Sequence, residues 1–338
     1  MLTVPISRKA GHGKMEKVFA IGDVHGCVTE LRTLINQLPL TDDSTIVFLG
    51  DYIDRGPHSK EVIETIFELG RSFRVVPLMG NHERMFLQFC AHPRTENAAM
   101  FIFNGGSATL ASYADEDGQF RIPEEHLTFL RQLPLCHKAA GHFFVHAGVP
   151  DVPIEKLDPK KHAHDMLWIR KPFHESGYRW SHRIVHGHTP VKKVDLLERR
   201  INLDTGCACS RHLSAIELPE GKIYTTPRGP KPAQPVLRDH SSQRMAIRFE
   251  GTVPVYIHSG HKTHAFQASD FSELGMYMRA TTHPNKQVFT KGDIIVGDIG
   301  SDLDCRVYFQ GRIARVVPAD NSFYYGVKMS SLPRGQDF

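Results

Sequence analysis

Three short polar segments open the chain: Ile21-Gly22-Asp23-Val24-His25-Gly26, Gly50-Asp51-Tyr52-Ile53-Asp54-Arg55-Gly56 and Gly80-Asn81-His82-Glu83, with Asp23, Asp51 and Asn81 spaced 28 and 30 residues apart. Carboxylate, imidazole and amide groups together suit hard-to-borderline divalent cations. Asp23 and His25 are two residues apart, so on an extended strand end both side chains leave the same face and suit one ion. Asp51 could bridge two ions, and Asn81 supplies a neutral oxygen beside the second. His146 and His188, far along the chain, complete the shells, although His186 competes with His188 for the same side of its strand. Two cations ~3.5–4 Å apart hold phosphate oxygens and lower the pKa of a water between them, giving a nucleophile near neutral pH. His82 is placed to protonate the leaving oxygen and Asp54 to orient it. Arg55 and Arg170 are suited to clamp phosphoryl oxygens in bidentate fashion. The chemistry is two-metal hydrolysis of a phosphoester.

The segments need strand ends to present them. Each follows a β-branched or aromatic run (Val18 to Ile21, Thr45 to Leu49, Phe73 to Met79) and precedes a helix-like stretch. In such a sheet, ligands gather beyond the carboxyl ends of the strands. Val28 to Leu38 has the spacing of one helical face, and Ser59 is placed to cap the next helix, which Gly70 closes. His142 to His146 and Arg183 to His186 are further strands carrying histidines at their ends. Arg200 to Leu203 and His212 to Leu218 suggest a second sheet. A Gly-Asp pair after a strand is usually only a turn; three in order, with two later strand-end histidines, ask for more.

A chain of 338 residues predicts about two domains. It has no apolar run long enough to span a bilayer, and residues 1–20 lack the apolar core of a signal peptide, which predicts a cytoplasmic protein. The six cysteines lack a small-domain disulfide rhythm; Cys207 and Cys209 resemble half a zinc site without a second pair, so reduced thiols are expected. A formal charge of +4 favours phosphorylated or nucleotide partners, with no sign of a nucleic-acid polymer. Residues 1–15 read as a tail and 16–225 as the first domain. The proline-rich stretch 226–239 reads as a linker, and 240–338 as a β-rich domain, a small barrel by its short strands.

The set GDVHG, GDYIDRG, GNHE, HAG and GHTP, in that order, resembles the phosphoprotein phosphatase family, nearest to its bacterial and phage lambda phosphatase branch. The resemblance implies an α/β metallophosphoesterase fold, a β-sandwich flanked by helices. It implies metal ligands at Asp23, His25, Asp51, Asn81, His146 and His188 rather than His186. Asp54 and His82 become the acid pair, and Arg55 and Arg170 (in Leu167-Trp168-Ile169-Arg170) the phosphate binders. It implies two divalent ions, manganese first, with iron or zinc accepted by the same donors. Its substrate would be a phosphoprotein, cleaved at phosphoserine or phosphothreonine. A symmetrical dinucleoside tetraphosphatase is the alternative, against which Asp54 in DRG and Glu83 in GNHE favour the protein phosphatase branch. Phe103-Asn104-Gly105-Gly106 resembles an NGG stretch of the bacterial branch, with no role legible from residue types.

In the last hundred residues, Arg244 and Arg248 stand four apart at the start of a strand, followed by Asp270-Phe271-Ser272-Glu273-Leu274-Gly275. Arginines grip phosphates and stack on base planes, while Asp and Ser read base edges. Together these resemble the PilZ domain, the cyclic di-GMP receptor. The resemblance implies ligand contacts by Arg244, Arg248, Asp270, Ser272 and Gly275, with cyclic di-GMP as a regulatory ligand of the hydrolase. A non-enzymatic effector that acts by binding partners is the alternative from another class; the full set of expected catalytic residues argues against it.

Overall fold

The computed structural model describes residues 17–116, 119–229, 249–259, 261–272, 274–281, 286–300, 307–319 and 322–330. Arg244 and Arg248, the tail 1–15 and most of the linker lie outside the described residues.

The first half is a β-sandwich with helices on both outer faces, as the resemblance implies. One sheet has the order β10-β9-β1-β2-β3, built from β1 (Lys17–Ile21), β2 (Ser44–Phe48), β3 (Arg74–Pro77), β9 (Ser214–Leu218) and β10 (Lys222–Thr225). The other has the order β4-β5-β6-β8-β7, from β4 (Cys136–Ala139), β5 (His142–Val145), β6 (Arg183–His186), β7 (Asp195–Leu196) and β8 (Arg200–Asn202). Strand alternation builds the layers. Val18, Ala20 and Val47 meet Phe144, Val185 and Ile201 between the sheets. Phe19, Ile21 and Ile46 turn outward against α1 (Val28–Gln37) and α2 (Ser59–Ser72) through Leu31, Leu34 and Val62. Behind the second sheet, Phe143, Val145 and Ile184 pack on Met166 of α7 (Ala163–Trp168) and Phe173 of α8 (Lys171–His174).

Three sequence expectations change. Gly70 does not close α2, which runs on to Ser72 with Phe73 as its cap. His212 to Leu218 does not extend a second sheet: its strand β9 lies antiparallel to β1 in the first. Ser59 is the first residue of α2, not its cap, because its hydroxyl is turned inward to accept the Asp54 backbone N–H at 3.1 Å. No periodicity predicts a helix between α3 (Asn81–Ala91) and β4, yet α4 (Glu96–Phe101), α5 (Ser107–Ser112) and α6 (Glu124–Arg131) fill the interval. These are short, and helices of that length depend on tertiary packing rather than propensity. Of the linker stretch, Thr226 still belongs to the sandwich, donating its N–H to Leu213 O at 3.0 Å.

The second half closes into a six-stranded antiparallel barrel, β11-β12-β13-β16-β15-β14: β11 (Phe249–Ser259), β12 (Lys262–Ser272), β13 (Gly275–Ala280), β14 (Ile294–Ile299), β15 (Val307–Ala319) and β16 (Ser322–Met329). β15 shows the rule plainly: Val307, Phe309 and Ile313 are buried, while Tyr308, Gln310 and Arg312 are exposed. β12 escaped the sequence reading because only Phe266, Ala268 and Phe271 carry apolar bulk inward along a polar run. The barrel is seated on the helices of the first half. Phe249 meets Phe89 of α3 at 5.8 Å between ring centroids, and Phe89 in turn meets Phe101 of α4 at 4.9 Å.

Phe86, fully buried and 5.3 Å from Phe101, braces the helix layer beneath this seat. Phe86→Ala is expected to cost about 3–5 kcal/mol in urea unfolding of the full chain, and a loss below about 1 kcal/mol would place the ring outside the core.

Candidate metal centre

Five loops, each leaving the carboxyl end of a strand, bring the polar segments together. Asp23 follows β1, Asp51 follows β2, Asn81 follows β3, His146 follows β5 and His188 follows β6. All are buried, with His25 and His82 beside them. Donor atoms of His25, Asp51 and His82 lie within 4.8 Å of one another, and so do those of Asp51, His146 and His188. Asp51 belongs to both groups, the place the sequence reading gave it between two ions. Its Oδ2 is 3.4 Å from His25 Nε2, and its Oδ1 is 3.4 Å from His146 Nε2. Asn81 Oδ1 faces His146 Nε2 at 2.8 Å and His188 Nδ1 at 3.0 Å. Asp23 joins from the far side, its Oδ2 accepting the His188 backbone N–H at 3.0 Å.

His25 and His146 are fixed from behind. Nδ1 of His25 donates to Ile53 O at 2.8 Å, and Nδ1 of His146 to Leu49 O at 2.9 Å. That selects the tautomer with a bare Nε2 directed into the site, the form a metal takes. Glu83 fixes the loops themselves. Its Oε2 accepts N–H groups from Asp51 (2.9 Å) and Gly80 (3.0 Å), and its Oε1 accepts that of Tyr52 (2.8 Å). Positive φ angles cluster here, at His25, Asp51, Asp54, Arg55 and His188. Side chains hold such conformations only where the surroundings over-determine them, and they concentrate at functional sites.

His82 and Asp54 are brought into contact. His82 Nδ1 lies 2.6 Å from Asp54 Oδ2, and the other Asp54 oxygen accepts the Thr109 hydroxyl at 2.6 Å. Arg55 Nη1 reaches His25 Nε2 at 3.1 Å and Arg170 Nε reaches His188 Nε2 at 3.1 Å, so both guanidinia border the same space. His186 is not among them. The chain turns at His188 (φ 67°), and His186 packs away from the site against Phe173, ring centroids 5.0 Å apart. Three contributors were missed by sequence reading: Thr109, the structural role of Glu83, and buried Asp204. The last closes a loop after β8, and its charge raises the Asp23 pKa after burial itself. A strand followed by Asp204-Thr205-Gly206 was the available signal.

Electrostatics test whether cations fit. Burial pushes Asp23 well above the carboxylate range and lifts Asp51 to about 7, the nearby Arg55 opposing the latter. Burial also holds His25, His82 and His188 well below the usual imidazole value and takes His146 down to about 4. Asp23 Oδ1, buried, finds no hydrogen-bond partner among the described residues. Carboxylates that cannot ionise cheaply, neutral imidazoles with lone pairs forward and an orphaned oxygen are the donor set that divalent cations satisfy. Cys207 and Cys209, in contrast, part company: Cys209 is exposed, and Cys207 is buried with Cys27 and Glu30.

In the barrel, Ser272 ends β12 and Gly275 opens β13, the Ser272 hydroxyl 3.4 Å from Gly275 O. A Cβ at 275 would collide with Val327 O, so only glycine lets β16 approach there. Asp270 stands opposite Glu250 on β11. The three are thus gathered at one end of the barrel.

A dinuclear site of this make-up at the strand ends of an α/β sandwich defines a metal-dependent phosphoesterase. Residues 16–221 match the calcineurin-like phosphoesterase family, and the chain belongs to it; residues 242–337 match the PilZ domain, which is joined to it here. Among relatives, the asymmetrical bis(5'-nucleosyl)-tetraphosphatase PrpE of Bacillus cereus (strain Q1) is 30% identical over 235 residues, covering 61% of this chain and 92% of that protein. Among solved structures, one described as a putative diadenosine tetraphosphatase is 24% identical with a TM-score of 0.48, covering 63% of this chain and 94% of that one. The PilZ domain with c-di-GMP of YcgR from Escherichia coli is 12% identical with a TM-score of 0.23, over 26% of this chain and 79% of that one.

Glu83→Gln puts an NH2 group against backbone donors and frees the Asp51 loop. Metal affinity is expected to fall about 10–100-fold in equilibrium dialysis. Unchanged affinity would mean that Glu83 does not hold the Asp51 loop in place.

Proposed function

We propose that this chain is a serine/threonine protein phosphatase of the cytoplasm, hydrolysing phosphomonoesters with two divalent cations. In this reading Asp23, His25 and Asp51 hold one cation and Asp51, Asn81, His146 and His188 the other, manganese being the first choice. Bound there, the cations supply Lewis-acid polarisation of the phosphoryl group and acidify water. Arg55 and Arg170 orient the phosphoryl oxygens; His82, which burial keeps neutral, would take up a proton with Asp54 at 2.6 Å as its counter-charge and pass it to the leaving oxygen.

The observation that carries the substrate class is the acid pair, buried and hydrogen-bonded at 2.6 Å with Thr109 behind it. A serine or threonine alkoxide is a poor leaving group and needs a proton; a nucleotide phosphate leaves as a stable anion and does not. A built general acid therefore favours an alkyl ester. Glu83 drops out of this argument, because its carboxylate is engaged by backbone N–H groups. The second reading, a dinucleoside tetraphosphatase, is favoured by the activity in the name of the Bacillus cereus relative, which is asymmetrical rather than symmetrical.

His82→Asn is expected to cost about 10²–10⁴-fold on a phosphoserine peptide. The loss should be much smaller on p-nitrophenyl phosphate, whose leaving group needs no proton. Equal losses on both would remove the general-acid argument. Wild-type turnover of diadenosine tetraphosphate above that of the phosphopeptide, with ATP and AMP released, would select the second reading.

We also propose that the domains run 16–225 and 240–338, and that cyclic di-GMP binds the barrel through Asp270, Ser272 and Gly275 with Arg244 and Arg248. The seating of the barrel on α3 and α4 supports a ligand-dependent rate. Turnover measured with and without cyclic di-GMP should differ; an unchanged rate at independently verified saturation rejects coupling.

A further inference from the structure

The Phe103-Asn104-Gly105-Gly106 segment lies where the barrel meets the wall of the metal centre. After α4 the helix widens over Ile102–Gly106 and breaks at Gly105 (φ 101°, ψ 13°). Asn104 Nδ2 donates to Met100 O at 2.8 Å and ties the widened turn to the helix before it. The turn then grips Arg55. Gly105 O accepts the Arg55 backbone N–H at 3.2 Å, and a Cβ at 105 would stand 2.9 Å from Arg55 Cγ. Arg55 needs such a hold, because its own φ of 68° is one that side chains seldom adopt. On the opposite side of the turn, Phe103 is buried with its ring 5.7 Å from that of Phe271. Phe271 sits in the chain between Asp270 and Ser272 and stacks on Phe249 at 6.2 Å.

We propose that the Ile102–Gly106 turn is a positioning element for Arg55, and that the barrel sets that position through Phe271 against Phe103. The inference rests on the reading of Arg55 as a phosphoryl ligand. It gives the regulation of the same site a route: a cyclic dinucleotide held by Asp270 and Ser272 loads the ring between them, one aromatic contact from the turn that grips Arg55. Such a ligand would act first on phosphoryl affinity, through the backbone and Cγ of Arg55 that Gly105 faces.

The test uses the full metal-loaded chain and radiolabelled orthophosphate as probe, binding being read by equilibrium dialysis with bound metal measured in the same samples. Phe103→Leu and Phe271→Leu keep apolar bulk while changing the ring contact. Each is expected to weaken orthophosphate binding by about three- to tenfold with metal content unchanged, since small misplacements of a positioning group are costly. In an Arg55→Ala background neither should weaken it further, because the effect acts through that guanidinium. Gly105→Ala, which presses on Arg55 from the same turn, should behave likewise and serves if a phenylalanine variant fails to fold. Losses of full size in the Arg55→Ala background, or metal content falling in step, would overturn the positioning role. Were Arg55→Ala alone to leave orthophosphate affinity intact, the phosphoryl-ligand reading would fall and this inference with it. A sensitive Arg55 with silent turn variants defeats the positioning role only.

Discussion

Burying carboxylates and imidazoles together, with their lone pairs facing one another, is the constraint on which the first half of the chain depends. Asp23, Asp51, His25, His146 and His188 are each no more than 5% exposed, so none can rely on bulk water. Without a counter-charge, burial drives the acids toward protonation and the imidazoles toward neutrality, and every remaining donor must be satisfied from behind. The loops answer that need with their own backbone: Leu49 O and Ile53 O take the Nδ1 protons of His146 and His25. The residues that follow those carbonyls are left-handed, Gly50 after Leu49 and Asp54 after Ile53. Site chemistry and loop shape are therefore one problem with one solution.

Glu83 is the clearest consequence. A buried carboxylate that accepts backbone N–H groups from Gly80, Asp51 and Tyr52 replaces the water that two polar loops would otherwise require. Its own pKa is lifted to about 7 by burial and then by Asp51. The acid pair repeats the device one layer further out. Asp54 is held by Thr109 on α5 and by its own N–H to Thr109 and Ser59, which ties the loop after β2 to the helix layer.

The residues gathered at the site were legible in the sequence because strand ends write themselves there: an apolar run, a glycine and then a polar side chain, as at Asp23, Asp51 and Asn81. The supports were not. Thr109 on a short helix and Ser59 at the head of another are ordinary residues until folding places them 3.0 Å apart beside Asp54. Glu83 was legible as part of a motif, yet its partners are backbone groups, which carry no letter in the sequence. His186 and His188 could not be separated by period alone, since the turn after β6 changes direction at a residue whose φ nothing in the sequence announces. The barrel was legible by its short strands except β12, where the inward Phe266, Ala268 and Phe271 are set in a largely polar run.

The seat between the two halves decides what kind of coupling the molecule allows. Phe86, Phe101, Phe89, Phe249, Phe271 and Phe103 follow one another at centroid separations of 4.9–6.2 Å, the extremes being Phe89–Phe101 and Phe249–Phe271, so the barrel's apolar interior and the helix layer form one continuous packed body. Packed interiors deform little and shift between discrete arrangements rather than yielding smoothly. A ligand at the barrel can bias the metal centre only by the difference in its affinity for two such arrangements. An aromatic seat makes a wholesale swing of the barrel costly, since it would expose several buried rings at once. Coupling through a small repacking at Phe271 and Phe103 exposes far less apolar surface, and the turn it would move already holds the Arg55 backbone. The same packing that makes the two halves one body thus confines any ligand-driven change to the wall of the site nearest the barrel.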